Sequence, residues 1–163
     1  MLKSSPLFVS RNSVIKVTII YDEFSSAAKA SVALRRVAYR AHADEQLDIN
    51  TCRVDMLKLP DAAEEALMEA ADAHLIVFAG GFVQRLTPWL QAWLERWAVC
   101  RQVREAALAI TGNENAGAPP ELAAPELFQF AQKHGLNFIF NYSVVNELGP
   151  ALFMNHLKEH RLP

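Results

Sequence analysis

Apolar residues follow two alternating patterns along most of the chain. Leu75–Ala79 is a short unbroken apolar run, and such runs are typical of strands buried on both faces. Val14–Tyr21 and Ala106–Thr111 have a similar apolar or β-branched character. Between these runs, apolar residues recur every three or four positions, which is the spacing of an amphipathic helix. The pattern therefore predicts alternating strands and helices.

Five strands and five helices account for the chain. The strands are predicted at residues 14–21, 49–56, 75–79, 106–111 and 137–145. The helices are predicted to begin near residues 25, 61, 88, 121 and 150. Regular alternation of this kind predicts a doubly wound α/β fold with a parallel sheet between two helical layers. Residues 1–12 are predicted to be an N-terminal extension, and residues 13–163 a single domain.

Several predicted helix ends carry recognisable capping signals. Thr87-Pro88 indicates an N-cap followed by proline in the first turn. Asp61 with Glu64 three residues later has the spacing of a capping box. Gly135 is placed where a left-handed residue commonly ends a helix. These signals fix three of the predicted helix ends.

The composition limits the possible classes of function. The chain has 163 residues, of which 52% are hydrophobic and 21% charged, with a formal net charge of -2. This balance suits a folded domain and gives no electrostatic attraction for nucleic acid or an anionic membrane. No apolar run is long enough to span a bilayer, and Met1–Asn12 lacks a secretory apolar core. Cys52 and Cys100 fit neither a disulfide framework nor a metal motif and are predicted to be small core residues. We therefore expect a cytoplasmic protein.

Three short stretches resemble the flavodoxin-like superfamily, and within it the NAD(P)H-dependent FMN reductases. They are Leu57–Pro60 after the second strand, Ala71–Ala73 before the third strand, and Leu90–Arg96 in the helix that follows it. The resemblance extends over roughly residues 14–145. It implies a three-layer αβα sandwich with a five-stranded parallel sheet in the order 2-1-3-4-5.

The resemblance also implies an FMN site whose phosphate lies on the loop after the first strand. By position this loop is Asp22–Ala28, and its candidate ligands are Ser25, Ser26, Ala27 and Ala28. Backbone N–H groups at a helix N-terminus favour an anion. Asp22 and Glu23 depart from the family pattern, because two carboxylates beside a phosphate repel it. The loop also lacks glycine. The alternative interpretation is that Ser25 or Ser26 simply caps the helix.

Two further loops would line the flavin ring if FMN binds. Gly80, Gly81 and Phe82 follow the third strand, and the resemblance places Phe82 where an aromatic residue stacks on the flavin. Gly112 and Asn113 begin the loop after the fourth strand and would approach the ring edge. Together with the phosphate loop, these residues form the predicted cofactor site.

Two function hypotheses follow from this sequence. The first is an FMN-dependent NAD(P)H reductase or electron-transfer protein, with NAD(P)H and a small-molecule electron acceptor as partners. The second is a flavodoxin-like protein that has lost FMN binding and acts as a binding or regulatory module. No nucleophile–base pair supports acyl or phosphoryl transfer, so no catalytic side chain is predicted.

Asp22 and Glu23 permit other interpretations. A phosphoreceiver domain holds magnesium on such a pair but also needs an aspartate after the third strand, where this chain has Ala79-Gly80. Two adjacent carboxylates are too few ligands for a metal ion. Solvated turn residues are the simpler interpretation, and no metal site is predicted. Arg85, on the loop after the third strand, either faces an anionic ligand or is a solvent-exposed arginine.

Three tryptophans lie four residues apart on one predicted helix. Trp89, Trp93 and Trp97 share a face of the helix that begins at Pro88. Such a face either meets a second subunit, which predicts a homodimer, or packs on the sheet within the chain. The sequence leaves both possibilities open.

Overall fold

A computed structural model of the protein describes residues 14–41, 46–111 and 123–139. Within these ranges the chain forms five strands and four α-helices. In chain order they are β1 (Ile15–Tyr21), α1 (Phe24–Arg40), β2 (Leu47–Arg53), α2 (Pro60–Ala70), β3 (Leu75–Ala79), α3 (Pro88–Cys100), β4 (Ala107–Thr111), α4 (Pro125–Lys133) and β5 (Asn137–Ile139). The predicted N-terminal extension, the loop at 112–117, the continuation of β5 and the last predicted helix lie outside the described residues.

The five strands form one parallel sheet in the order β2-β1-β3-β4-β5. This confirms the predicted flavodoxin-like topology. The order of the strands reverses between β1 and β3, because the chain first moves to one edge of the sheet and then to the other. Open parallel sheets bind ligands at the carboxyl ends of the strands beside such a switch point. The sheet therefore defines where a crevice should be sought.

The core has two layers, one on each face of the sheet. Helix α1 packs on the face that contains Ile15, Val17 and Ile19. Helices α2, α3 and α4 pack on the face that contains Ile20 and Phe78. Every residue of β3 is buried, as its unbroken apolar run predicts. β2 is an edge strand with alternating exposure, and it ends at Arg53 because Val54–Lys58 form a 3₁₀ turn.

Two of the predicted helix ends are confirmed in atomic detail. The Thr87 hydroxyl accepts a hydrogen bond from the Leu90 N–H at 3.3 Å, so Thr87 caps α3. Gly135 follows α4 with φ +66°, and the Leu136 N–H donates to the Ala131 carbonyl oxygen at 2.9 Å. That bond closes a Schellman motif, which requires the left-handed glycine.

Two other predicted caps are wrong. α1 begins at Phe24 with Glu23 as its N-cap, so neither Ser25 nor Ser26 caps the helix. α2 begins at Pro60 with Leu59 as its N-cap, which places Asp61 inside the first turn. The fixed φ of proline suits the first helical position, so the helix starts before the aspartate. A carboxylate in the first turn still interacts favourably with the helix dipole.

Two tryptophans of α3 belong to the core. Trp93 and Trp97 are buried, and their indole N–H groups donate to the carbonyl oxygens of Ala63 at 3.0 Å and Ala70 at 2.8 Å. Both bonds join α3 to α2. This settles the open question for these two residues in favour of packing within the chain, while the homodimer itself stays a prediction.

The two cysteines differ from each other in environment. Cys52 is half-buried and packs against the core, as expected, whereas Cys100 is exposed at the end of α3 and is not a core residue. The buried face of α3 includes Trp93, Leu94 and Trp97. Cys100, the last residue of the helix, lies outside this face and is exposed. Within the described residues, no helix is long and apolar enough to cross a membrane.

Candidate functional site

The loops after β1 and β3 meet at the switch point of the sheet. The Asp22 N–H donates to the Ala79 carbonyl oxygen at 3.3 Å, and the Gly80 N–H donates to the Thr111 carbonyl oxygen at 3.1 Å. These bonds extend the pairing of β1, β3 and β4 by one residue beyond the strand ends. The structure thus brings together the first two of the three loops that the sequence predicts to line a crevice.

The Asp22 carboxylate lies in this crevice. Its Oδ1 accepts the Glu23 N–H at 2.8 Å, and the whole carboxylate lies against Gly80. A Cβ at position 80 would collide with it. Gly80 also has φ +139°, a backbone conformation that side-chain-bearing residues rarely adopt. A carboxylate therefore lies at the switch point, between the loop after β1 and Gly80 of the loop after β3.

The predicted phosphate ligands occupy the first turns of α1. The N–H groups of Ser26 and Ala27 both donate to the Glu23 carbonyl oxygen, at 3.0 and 3.2 Å. Ala27 is buried and Ala28 is a further residue of the helix. The amide of Ser25 belongs to the first turn, where N–H groups lack a partner inside the helix. Three of the four predicted backbone donors are thus already used, because the Ala28 N–H bonds to the Phe24 carbonyl oxygen within the helix.

The predicted ring-binding residues show a similar division. Gly81–Gln84 form a 3₁₀ turn, and Gly81 has open space where a side chain would stand. The Phe82 ring contacts Phe78 edge-on, with centroids 6.4 Å apart, and is half-buried against the core. Phe82 is therefore engaged in packing on the α2–α4 side of the sheet. Gly112 and Asn113 lie outside the described residues.

A hydrogen bond that the sequence did not reveal fixes the loop after β3. The Glu126 Oε1 in the first turn of α4 accepts the Leu86 N–H at 2.7 Å. The sequence gives no sign of this contact, because the two residues are 40 positions apart. Glutamate in the first turn of a helix is also common, so Glu126 by itself does not indicate a distant partner. Arg85, next to Leu86, is exposed and has no ion pair within the part of the chain that the structure describes.

The charge at the crevice follows from these side chains. Asp22 and Glu23 carry two negative charges at the end of β1, and Arg85 contributes a positive charge on the neighbouring loop. No group of three or more potential metal ligands exists in the described ranges.

A cavity of about 420 Å³ lies elsewhere, between the edge strand β2 and helix α2. The sequence interpretation missed it. Four residues of the sequence could have indicated the cavity. They are the small residues Ala62 and Ala66, one turn apart on α2, and Asn50 and Cys52 of β2. Their facing positions become evident only with the register of the sheet. Its opening includes Phe24, which begins α1, so the cavity opens near the crevice but has different walls.

The chain matches no protein-family model and no curated protein.

Proposed function

We propose that this chain is a binding or regulatory module built on the flavodoxin-like topology, and that it works without FMN. The observation that carries this proposal is the contact between Asp22 and Gly80. A carboxylate held at the switch point repels a phosphate dianion that binds to the neighbouring first turn of α1. The residues present therefore fit the cofactor poorly.

The engaged amides and the engaged ring support the same proposal. The N–H groups of Ser26 and Ala27 are bonded within the helix, so fewer donors remain for an anion. Phe82 packs on Phe78 and is half-buried against the core, so only part of its ring is available to a ligand. The bonded amides weaken binding of the FMN phosphate, and the packing of Phe82 weakens binding of the flavin ring. Each effect alone is modest.

The alternative function is an FMN-dependent NAD(P)H reductase or electron-transfer protein. The first turn of α1 favours it, because the Ser25 amide and the hydroxyls of Ser25 and Ser26 lie beside the positive end of a helix dipole. When bound, FMN would supply the hydride and electron chemistry, and the chain would orient it. Asp22 and Glu23 are the residues that decide between the two functions.

Titration with FMN separates the two functions. We expect the unmodified protein to show no flavin absorbance as purified and no quenching of FMN fluorescence. A yellow protein, or saturable quenching, would overturn the proposed loss of FMN binding.

A double variant then tests the cause of that loss. Asp22→Ser with Glu23→Ser removes both charges, and the new hydroxyl at position 22 can still accept the N–H of residue 23. If acid placement alone disables the site, this variant takes up FMN. If the loop geometry is lost as well, it does not. Asp48→Ser is the control, because it removes an exposed carboxylate near the amino end of β2, at the opposite end of the sheet from the crevice.

A further inference from the structure

The cavity between β2 and α2 results from small side chains on both of its walls. On the sheet, Thr18 of β1 is in register with Asn50 of β2, so both side chains lie on the face that α2 covers. On the helix, Ala62 and Ala66 line the opposite wall. Side chains of this size leave the layer between strand and helix unfilled, although protein interiors are normally close-packed.

The floor of the cavity carries polar groups without partners. Thr18 is only 5% exposed, and its hydroxyl has no hydrogen bond within the described ranges. The Asn50 amide likewise has no partner there. Buried polar side chains in folded proteins are nearly always hydrogen-bonded. The Thr18 hydroxyl lines the cavity without a protein partner, so a group that enters the cavity can bond to it.

The rim of the cavity is negatively charged. Glu65 and Glu69, one turn apart on α2, line it, and neither has an ion pair or hydrogen bond among the residues that the structure describes. Arg53 also lines the cavity, but its charge is already balanced by Asp55, with Nε and Oδ1 3.3 Å apart. Two carboxylates are therefore left to attract a cation.

The thiol on the floor is not set up for covalent chemistry. Burial, and then the negative charges of Glu69 and Asp55, raise the pKa of Cys52 to about 11. The thiol is therefore protonated at neutral pH, and the thiolate is the nucleophilic form. Its Sγ donates to the Arg53 carbonyl oxygen at 3.6 Å. The cavity is suited to reversible binding.

The mouth of the cavity exposes apolar surface. Phe24 is 82% exposed and Met56 is 43% exposed, and both line the opening. The Phe24 ring lies 5.7 Å from the ring of Tyr21, which lines the cavity as well. An aromatic face beside a negative rim attracts the apolar body of a ligand and also a cationic group.

We propose that this cavity binds a small organic amine with an apolar or aromatic body. The ammonium group interacts with Glu65 and Glu69 and donates to the free oxygens of Thr18 and Asn50, and the body packs on Phe24 and Met56. The volume falls in the range of about 300–1,000 Å³ that small-molecule sites occupy. This site goes beyond the proposed function, since it uses neither Asp22 nor the loop after β3.

Calorimetric titration with phenethylamine tests the proposal. Phenethyl alcohol and phenylacetate share its aromatic body but carry no charge and a negative charge, respectively. We expect saturable binding of the amine and no saturable binding of the other two compounds. The proposal is overturned if the amine shows no saturable binding at millimolar concentration, or if the alcohol binds equally well.

Variants of the rim locate the site. Glu65→Gln and Glu69→Gln should each weaken amine binding about fivefold, the effect of losing one charge interaction near a solvated surface. Glu64→Gln is the matched control, because Glu64 is bonded to Arg96 at 2.6 Å and does not line the cavity. An equal effect of all three substitutions would refute the assignment.

Variants of the cavity itself give a test that is independent of charge. Ala66→Leu should abolish amine binding because it fills the space, and Thr18→Val should weaken binding several-fold because it removes only the hydroxyl. The β-branched valine suits β1, so Thr18→Val remains informative if Ala66→Leu does not fold. Unchanged binding in the folded variants would overturn the proposal. The Glu65→Gln and Glu69→Gln proteins should respond to FMN like the unmodified chain, which separates this result from the FMN test.

Discussion

The Asp22 carboxylate occupies the space where a side chain at position 80 would begin. Gly80 therefore meets two requirements at once, since it also adopts φ +139° and ψ -178°. That backbone region is essentially restricted to glycine. The two loops at the switch point are thus fitted to each other through one carboxylate and one missing side chain.

Gly80→Ala should destabilise the fold by about 2 kcal/mol or more, from backbone strain together with the clash. Urea denaturation followed by circular dichroism measures this change. Gly81→Ala is the control, because no atom lies within 4 Å of the added Cβ and no left-handed backbone angle is present there. We expect its effect to be small.

A double-mutant cycle separates the clash from the strain. In an Asp22→Ala background the carboxylate is gone. Gly80→Ala should then lower the free energy of unfolding by less than it does in the unmodified chain, because only the backbone strain at position 80 remains. Equal costs in the two backgrounds would show that the Asp22–Gly80 contact carries no energy.

The tryptophans of α3 give a second prediction, on folding stability. Trp97→Phe should cost about 2–3 kcal/mol, because it removes one hydrogen bond and also leaves a small cavity where the larger indole was buried, while the Ala70 carbonyl keeps its bond from the Ala73 N–H at 3.0 Å. Trp97→Ala should cost about 3–5 kcal/mol, as expected for loss of a buried large side chain. Thermal or urea unfolding measures both values.

Sedimentation completes the tryptophan test. Because Trp97 is buried within the chain, Trp97→Phe should leave the sedimenting mass of the protein unchanged, whatever that mass is. If Trp97→Phe lowers the sedimenting mass without lowering the folding stability, Trp97 lies in an interface between two subunits. The predicted homodimer is tested separately, by the mass of the unmodified protein.

Local features of the sequence predicted much of the fold. The buried run of β3, the Thr87 cap and the Gly135 stop each depend on nearby residues and on a simple physical requirement. The strand order followed from the alternation of elements together with a family resemblance. These predictions succeeded because periodicity and capping chemistry act over a few residues.

Features that depend on distant partners could not be predicted. The polar partners of Trp93 and Trp97 lie 30 and 27 residues away. The cavity required the register of β1 and β2 to be known. Tertiary contacts decided each of these cases.

Glu95 gives a third prediction, on acid stability. Its Oε2 accepts from Lys133 at 3.2 Å, and its Oε1 is 3.0 Å from His134 Nε2. Desolvation raises the pKa of Glu95, but the hydrogen bonds from Lys133 and His134 outweigh it and lower the pKa below 4.5. A lowered folded-state pKa stabilises the protein above the unfolded value, and that stability is lost as pH falls through the folded pKa.

Glu95→Gln should therefore cost up to about 1 kcal/mol at neutral pH, as expected for a partly exposed ion pair. The difference from the unmodified protein should begin to shrink as pH falls below the ordinary glutamate value of about 4.5, and it should vanish below the lower folded-state pKa, where the carboxylate is neutral in both states. Lys133→Gln should produce a smaller change in the same direction. Urea unfolding at a series of pH values measures this, and parallel curves down to the most acid pH would contradict the assignment.

The two cysteines give the last prediction, on thiol reactivity. Cys100 is exposed, whereas burial and the charges of Glu69 and Asp55 raise the pKa of Cys52 to about 11. At pH 8 only about one Cys52 thiol in a thousand is ionised, and the thiolate is the reactive form. Iodoacetamide should thus modify Cys100 first, as read by peptide mass spectrometry, and the Cys52 rate should keep rising up to about pH 11. Glu69→Gln should speed Cys52 because it removes one of the charges that oppose ionisation, while Glu64→Gln, on the same helix, should not. Equal rates for the two cysteines at pH 8 would contradict the environment that the cavity gives to Cys52.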